Sequence, residues 1–266
     1  MSEYRTFTLE HPRPGVALLA LNRPDRLNAI TFEMFDEMHA VCDRLTADAE
    51  VRVLVITGNG RGFCSGLDLD EALKLTDMSP HEMMLGQQRW AGAFQNFHEL
   101  PQPVIAAVNG PAAGGGLGFA LCADIRLASP AATFNAAFVR IGLSAGDVGV
   151  SWSLPRVVGL GHAAEIMLTG RFVDAEEAER IGLVNRVVAA DELLDATFEL
   201  AELIARNTPF GVTLTKRVLN ANVDAGSLSQ AVEVENRGQT LATRGADYLE
   251  ALQSFREKRE PSFTAR

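Results

Sequence analysis

Two kinds of apolar pattern alternate along this chain. The first is a short uninterrupted run, as in Val104–Val108, which is typical of a strand buried on both faces. The second recurs every three or four residues, as on one side of an amphipathic helix. Thr31 is a suitable N-cap for one such helix. The apolar face of that helix would be formed by Met34, Met38, Val41 and Leu45.

Read along the whole chain, these patterns predict a mixed α/β protein. Strands are predicted over residues 6–10, 16–21, 51–57, 104–108, 124–128 and 183–188. Helices are predicted over residues 31–45, 80–99, 160–169, 174–182, 191–206, 209–220, 229–243 and 247–258. Residues 133–150 are predicted to be loop and short elements, and Asp174 with Glu177 is expected to form a capping box. Because strands and helices alternate before a helical tail, the predicted class is α/β with a C-terminal helical region.

Composition narrows the class of protein. A chain of 266 residues can bury a substantial core. Its composition, with 47% hydrophobic and 22% charged residues, is ordinary for a globular protein. A net charge of −10 argues against a nucleic-acid or membrane-surface partner. No apolar run approaches the ~18 residues that span a bilayer, and the N-terminus lacks a signal pattern. Three cysteines without C-x-x-C argue against a disulfide framework or zinc site, so we expect a reduced, cytoplasmic enzyme.

Three consecutive glycines, Gly114, Gly115 and Gly116, stand where the strand at 104–108 gives way to residues that suit a buried helix. Glycines there let the backbone approach a ligand, and the first N–H groups of the helix stay free for a negatively charged oxygen. Neither G-x-x-x-x-G-K-[ST] nor G-x-G-x-x-G is present, which argues against a nucleotide phosphate. An oxyanion hole needs two such backbone donors, and residues 62–69 are the candidate second loop.

Several motifs resemble one protein family in their order along the chain. They are Phe63-Cys-Ser-Gly-Leu-Asp-Leu69 and Asn109-Gly-Pro-Ala-Ala-Gly-Gly-Gly-Leu117, with Leu21-Asn-Arg-Pro24, Asn28-Ala29, Leu168-Thr-Gly170, Ala175-Glu-Glu-Ala178, Gly182-Leu-Val184, Lys216 and Phe255-Arg-Glu-Lys-Arg259. Together they resemble the crotonase, or enoyl-CoA hydratase/isomerase, superfamily over essentially the whole chain. The resemblance implies a crotonase-like spiral of β-β-α turns over residues 1–195. It also implies a C-terminal helical trimerisation region over residues 196–266, in a homo-oligomer that is a trimer or hexamer.

The same resemblance assigns the two oxyanion donors to the backbone N–H groups of Leu67 and Gly115. Two such donors would polarise a thioester carbonyl, which makes its α-carbon acidic and its β-carbon electrophilic. The substrate is therefore expected to be an acyl-CoA thioester, with CoA as part of the substrate and no separate cofactor or metal. The donors alone leave hydration, double-bond shift, decarboxylation and acyl hydrolysis open.

Two glutamates that enoyl-CoA hydratases of the familiar kind place around one water are replaced in this sequence. Their positions match Gly118 and Phe138, and neither residue can move a proton; Phe138 would line an apolar acyl pocket instead. The remaining candidate is Asp147, which resembles a catalytic aspartate of dienoyl-CoA isomerases and of 4-chlorobenzoyl-CoA dehalogenases. The dehalogenase histidine would align near Ala91 and is absent, as are the other two carboxylates of the isomerase.

Asp147 is therefore expected to act alone as general acid and base. A carboxylate in an apolar pocket would have the raised pKa that proton transfer favours. The alternative reading is a turn residue, because aspartate between glycines is common in turns.

Contacts with CoA are also implied by the resemblance. Arg26 is placed to meet a phosphate, and Lys258 resembles a C-terminal lysine that reaches CoA, with a solvated helix face as its alternative. Residues expected to border the adenine and pantetheine through backbone groups are Ser65, Gly66, Asp68 and Leu69. Cys64 and Ser65 adjoin an oxyanion donor, but no histidine lies near them in sequence to activate a nucleophile.

The predicted function is an enzyme of the enoyl-CoA hydratase/isomerase family that isomerises or hydrates an enoyl-CoA through Asp147. Two alternatives stay open at this point. One is a CoA-thioester hydrolase or dehalogenase-like enzyme with Asp147 as nucleophile, and the other is a non-catalytic acyl-CoA-binding protein.

Overall fold

A largely parallel sheet forms the centre of the protein, in a computed structural model that describes residues 4–264. Its described strands are β1 Phe7–Arg13, β2 Val16–Leu21, β3 Val53–Gly58, β4 Val104–Val108, β5 Ala112–Ala113, β6 Ile125–Ala128, β7 Thr133–Asn135, β8 Val173–Asp174 and β9 Arg186–Val187. The main sheet has the order β1-β2-β3-β4-β6-β9, with β1 and β2 antiparallel and the other neighbours parallel. Strands β5, β7 and β8 form a second, small sheet.

Helices surround these sheets and make up the C-terminal part of the chain. The described α-helices are α1 Phe32–Ala47, α2 Leu69–Lys74, α3 Pro80–Glu99, α4 Gly115–Leu121, α5 Val150–Val158, α6 Leu160–Thr169, α7 Ala175–Arg180, α8 Leu193–Ala205, α9 Pro209–Asn222, α10 Leu228–Ala242 and α11 Ala246–Glu257. The predicted α/β class with a helical C-terminal region is confirmed. Within residues 4–264, no helix combines the length and apolar character needed to cross a bilayer.

Strands β3 and β4 are buried along their whole length, and β4 is the unbroken apolar run that was predicted to be buried on both faces. On one face of the sheet, Phe198 and Ala201 of α8 share an apolar cluster with Val53 and Ile105. On the other face lies a larger core that includes residues of α1, α3 and α4. Burying one large apolar side chain contributes about 1.5–3 kcal/mol, so β4 is held firmly between two layers. The glycine turn that follows β4 therefore starts from a rigid support.

Two helix caps show how local sequence sets element boundaries. The Thr31 hydroxyl accepts a hydrogen bond from the Met34 N–H at 3.1 Å, which confirms the predicted start of α1. Asp174 caps α7 in the same way, by accepting from the Glu177 N–H at 2.8 Å. The predicted capping box is wrong in its second half, because the Glu177 carboxylate accepts from the Arg171 guanidinium at 2.7 and 2.8 Å instead.

The segment before α6 holds more regular structure than the sequence predicts. The predicted loop and short elements over residues 133–150 are confirmed by β7 and a 3₁₀ segment at Ala137–Ile141, but helix α5 follows them. Helix α5 is not predicted, and Pro155 is unfavourable in a helix interior. Gly149 lies at the N-cap with a φ of +82°, and Pro155 is tolerated inside the helix. Strand β9 covers Arg186–Val187, less than the predicted residues 183–188.

Candidate active site

The first loop leaves the amide of Leu67 free. Ile30 forms a parallel bridge with Leu67, in which Ile30 N–H donates to Gly66 O and Ile30 O accepts from Asp68 N–H, both at 2.8 Å. In a parallel bridge of this kind, the N–H and C=O of Ile30 form both hydrogen bonds, and they bond to the residues on either side of Leu67. The N–H of Leu67 itself therefore points to the other side of the strand. Among the described residues it has no hydrogen-bond acceptor.

The second loop leaves the amide of Gly115 free for a different reason. Gly115 is the first residue of α4, and the first N–H groups of a helix have no acceptor within the helix. Gly114, the residue before it, has a φ of +52° and donates its own N–H to Asn135 O at 2.9 Å. Strand β7 therefore anchors the turn, and no acceptor for the Gly115 N–H lies among residues 4–264.

The two loops touch each other. Cys64 forms a parallel bridge with Ala112, and the Ala113 N–H donates to Cys64 O at 3.0 Å. Gly66 has a φ of +89°, and a Cβ added to it would lie 3.2 Å from the Gly115 nitrogen and 2.7 Å from Ala113 O. Glycine at position 66 is thus required by both backbone conformation and close approach, and it brings the two free amides to one place.

An ion pair between the partly buried Arg23 and the buried Asp68 holds the first loop in position. The Arg23 guanidinium donates to the Asp68 carboxylate at 2.9 Å, and the Asp70 N–H donates to the other oxygen at 3.0 Å. Burial acts to raise the pKa of Asp68, but hydrogen bonds from Arg23 and Asp70 outweigh it, so the pKa is lowered and the carboxylate stays charged.

Both free amides border a cavity of about 380 Å³ with a largely apolar wall. Apolar side chains that line it include Ile30, Phe35, Trp90, Phe94, Phe138 and Val148. Its polar side chains are Ser65, Gln87, Ser144 and Asp147. Among the described residues lining the cavity, Asp147 alone has an ionisable side chain.

Asp147 is half-buried in the turn that leads into α5. Its Oδ1 accepts two hydrogen bonds, from the Val148 N–H at 2.8 Å and from Gln87 Nε2. Burial raises the pKa of Asp147 above its ordinary value, because loss of water disfavours the carboxylate more than these two hydrogen bonds favour it. This direction agrees with the pKa expected from the sequence for a carboxylate in an apolar pocket.

Comparison with known proteins identifies the family of this chain. The model of the enoyl-CoA hydratase/isomerase family matches residues 12–266. The chain belongs to the enoyl-CoA hydratase/isomerase family.

Individual relatives agree with this membership. A probable enoyl-CoA hydratase of Mycobacterium bovis is 44% identical over 265 residues, which cover 96% of this chain and 92% of that protein. The 1,2-epoxyphenylacetyl-CoA isomerase of Escherichia coli is 38% identical over 261 residues, with coverage of 98% and 99%. The crystal structure of a probable enoyl-CoA hydratase/isomerase from Mycobacterium abscessus is 40% identical, covers 98% of this chain and 100% of that chain, and superposes with a TM-score of 0.89. The crotonase-like fold expected from the motifs is confirmed.

At position 118, one of the two places where the sequence lacks a hydratase glutamate, another side chain fills the space. A Cβ added to Gly118 would lie 2.7 Å from Val148 Cγ2 and 3.4 Å from Phe94 Cε1. Val148 has a φ of +42°, which is rare for a β-branched residue and carries strain of about 1–3 kcal/mol. The strained turn that presents Asp147 to the cavity therefore also places Val148 against Gly118.

At position 138, the other such place, the cavity wall is aromatic. Phe138 is 6% exposed and lies in the 3₁₀ segment. Its ring atoms would be 3.9 Å from a Cβ on Gly114, so the ring lies beside the glycine turn. Neither position supplies a proton-transfer group, so Asp147 is the candidate for that role among the described side chains that line the cavity.

The structure brings most of the expected site residues together. Those that line the cavity are Ser65, Gly66, Leu67, Leu69, Gly115, Phe138 and Asp147. Arg26 lies next to them, since its carbonyl accepts from Ser65 Oγ at 3.4 Å and its exposed guanidinium is 3.5 Å from Asp70. Asp68 directs its carboxylate to Arg23, and Lys258 is exposed at the end of α11 and is not among the described residues that line the cavity. CoA contacts of Arg26, Asp68 and Lys258 stay predictions.

Cys64 does not have the environment of a nucleophile. It is fully buried, and burial raises the pKa of its thiol to about 12, so almost no thiolate exists near neutral pH. Its contribution is structural, through the backbone bridge to Ala112.

Sequence reasoning missed Gln87. This residue lies on α3 at helical spacing with the lining residues Met83, Trp90 and Phe94. A glutamine within an otherwise apolar stripe is a signal that could have been noticed, because a polar side chain on a buried face needs a partner.

Proposed function

We propose that this protein is an enoyl-CoA isomerase in which Asp147 moves a proton between two carbons of a CoA-linked enoyl chain. The observation that carries the proposal is that Asp147 is the sole ionisable side chain among the described residues lining the cavity. The same cavity is bordered by the two free amides of Leu67 and Gly115, which suit a thioester oxygen.

The proposed reaction needs one proton-transfer group. With the thioester oxygen held by the two amides, the Asp147 carboxylate removes a proton from the α-carbon of a 3-enoyl thioester. The electron pair of that C–H bond delocalises into a dienolate, whose charge lies largely on the thioester oxygen. The protonated Asp147 then returns the proton to the γ-carbon, and the double bond moves into conjugation with the carbonyl. No atom is gained or lost, and the apolar wall keeps water away from the dienolate.

Hydration fits these residues less well. Adding water to a double bond requires activation of the water and delivery of a proton to the α-carbon. The two positions expected to carry glutamates for this work are Gly118 and Phe138. Support for isomerisation also comes from a solved structure described as a monofunctional enoyl-CoA isomerase of M. smegmatis, which is 44% identical to this chain and covers 86% of it.

The rest of the substrate is proposed to leave the cavity past Ser65 and Leu69. Arg26 contacts Ser65 through its backbone carbonyl, and its guanidinium is exposed. We propose that it meets a CoA phosphate, which gives this protein of net charge −10 a local positive group for an anionic ligand. Lys258 is proposed to reach CoA within a homotrimer or hexamer built through the C-terminal helices.

Asp147→Asn tests the proposal, because the amide keeps the shape and the acceptor oxygen but cannot take a proton. The parent protein should convert 3-enoyl-CoA to 2-enoyl-CoA, followed by absorbance of the conjugated thioester and by deuterium incorporation from D₂O. The variant should lose about 10²–10⁴-fold in kcat, the usual contribution of a general acid–base group. Binding of the acyl-CoA, measured by calorimetry, should change little.

Other outcomes separate the alternatives. Isomerisation that survives Asp147→Asn would remove this residue from the mechanism. A covalent acyl-aspartate, detected by intact-protein mass spectrometry, would favour a hydrolase or dehalogenase-like enzyme. Thioester binding without turnover of any enoyl-CoA in the parent would favour a binding protein.

A further inference from the structure

We propose that Gln87 is a positioning residue for Asp147, which fixes one carboxylate oxygen so that the other oxygen transfers the proton. The catalytic meaning of this inference rests on the proposed function. The contact between the two side chains, and its effect on the carboxylate, do not depend on which reaction the cavity supports.

Helix α3, which packs firmly against the core, positions Gln87 next to Asp147. Helix α3 carries Trp90, whose ring stacks on Phe32 with 4.8 Å between centroids. One turn further along, Phe94 packs edge-on against Phe119 at 6.2 Å. These contacts fix the helix against the core, so the carboxamide of Gln87 has little freedom to leave the cavity wall.

Gln87 and Val148 saturate the same oxygen. Asp147 Oδ1 accepts from Gln87 Nε2 and from the Val148 N–H, whereas Oδ2 has no protein donor within residues 4–264. When a carboxylate takes up a proton on one oxygen, the other oxygen remains a hydrogen-bond acceptor. Protonation of Oδ2 therefore leaves both donors of Oδ1 in place, whereas protonation of Oδ1 would break at least one of them.

This asymmetry has a consequence for proton transfer. Oδ2 can cycle between the charged and the protonated form without any rotation of the Asp147 side chain. A carboxylate that stays in one geometry through both proton transfers is preorganised for them. We infer that Gln87 selects Oδ2 as the reacting atom.

The surroundings of Asp147 make the contribution of Gln87 measurable. The described cavity residues from α2, α3, the glycine turn and the 3₁₀ segment include no other ionisable side chain. The nearby hydroxyl-bearing residues are Ser65 and Ser144, which carry no charge near neutral pH. The two hydrogen bonds lower the pKa of Asp147 against the larger effect of burial, so removal of the one from Gln87 should raise that pKa.

The experiment compares Gln87→Met with Gln88→Met. Methionine matches glutamine in length and removes the donor, and Gln88 is an exposed neighbour on the same helix. The Asp147 carboxyl is titrated by NMR in protein labelled with ¹³C at aspartate Cγ, with its resonance identified by its absence in Asp147→Asn. In Gln87→Met the midpoint should move to higher pH, and in Gln88→Met it should stay at the parent value.

Kinetics supply the second measurement. Gln87→Met should lower kcat about tenfold, with KM within about twofold, because one hydrogen bond to a charged group is lost. The rise of kcat with pH should shift to higher pH together with the NMR midpoint. A loss of packing alone would lower thermal stability without moving either midpoint.

The two proposals can fail separately. An unchanged NMR midpoint in Gln87→Met would overturn the positioning role, even if Asp147→Asn were inactive. A shifted midpoint together with full isomerase activity in Asp147→Asn would support the contact between Gln87 and Asp147 and its effect on the carboxylate, and it would overturn the proposed function.

Discussion

At the scale of single residues, Val148 occupies the space that a side chain at position 118 would need. A Cβ at position 118 would approach Val148 Cγ2 to 2.7 Å, well inside normal contact. Any larger side chain there must displace Val148, and Val148 is covalently next to Asp147. A side chain at position 118 would therefore also disturb the position of Asp147.

Because of this close approach, Gly118→Ala should change the free energy of unfolding in opposite directions in the parent protein and in a Val148→Ala variant. Gly118→Ala should destabilise the parent, because overpacking a core costs about 1–3 kcal/mol and exceeds the helix preference of alanine. In a Val148→Ala background the clash is gone, and the same change should stabilise the protein by up to about 1 kcal/mol, since Gly118 lies inside α4. Urea unfolding of the four proteins measures both values. Equal costs in the two backgrounds would mean that the two side chains do not compete for space.

A second prediction concerns the pH dependence of stability. Because burial raises the pKa of Asp147 in the folded state, the folded protein holds this proton to a higher pH than the unfolded chain does. The carboxyl therefore contributes to stability least when it is ionised in both states, above the folded pKa. Asp147→Asn should raise the free energy of unfolding relative to the parent at pH 8, and the advantage should shrink as pH falls toward the unfolded pKa of about 3.9. Denaturation at several pH values checks this, and an advantage that grows toward acid pH would contradict it.

At the scale of elements, the sequence predicts those features of the site that are local. The glycines after β4 predict the free Gly115 amide, because a turn from a strand into a helix is determined by residues that are consecutive in the sequence. Helix α3 and its apolar stripe are also predicted from spacing alone. The contact between Gln87 and Asp147 could not be predicted, because the two residues are 60 positions apart and meet only after α3 and the turn before α5 are both placed.

The free N–H of Leu67 also depends on a contact between residues that are distant in sequence. Leu67 was assigned by resemblance to a family motif, and nothing in residues 62–69 alone indicates which N–H is free. Its N–H is free because Ile30, from a distant loop, takes both hydrogen bonds of the bridge. Helix α5 was missed for a different reason, since the local preference against Pro155 in a helix is outweighed by burial of Val150, Leu154 and Val158.

Helix α9 depends on one buried cation, which gives a prediction at this scale. Lys216 is 6% exposed and its Nζ lies 2.9 Å from Asp124 Oδ2 and 3.0 Å from Gln102 O. Asp124 in turn accepts from the Val104 N–H at 2.7 Å, at the start of β4. Lys216→Met should destabilise the protein by about 3 kcal/mol, because Asp124 is left partly buried without its cation.

Two further variants make this prediction specific. Arg217→Met, an exposed neighbour on the same helix, should change stability by less than about 0.5 kcal/mol. Adding Asp124→Asn to Lys216→Met should recover part of the loss, since the unpaired charge is removed. Chemical denaturation measures all of them, and strictly additive effects would show that the pair is not coupled.

At the scale of the whole molecule, the described chain leaves an apolar surface on its C-terminal helices. Leu249, Leu252 and Phe255 follow one another at spacings of three on α11 and are 68%, 48% and 86% exposed. Leu228 and Leu241 of α10 are 81% and 55% exposed. Isolated exposed apolar residues are ordinary, but three large ones close together on one helix, as on α11, are typical of a protein–protein interface. The helical region is predicted to assemble subunits, and this surface is where that assembly would occur.

This gives the last prediction. The parent protein should have three or six times the mass of one subunit by light scattering, and Phe255→Asp should shift it toward smaller species, because a charge in an apolar interface is costly to bury. Gln253→Asp adds the same charge at an exposed position on the same helix and should leave the mass unchanged. If Lys258 reaches CoA across the interface, Phe255→Asp should also raise the KM for acyl-CoA while the parent and Gln253→Asp stay alike. A parent protein with the mass of one subunit would contradict the assembly, as would a Phe255→Asp variant that keeps the parent mass.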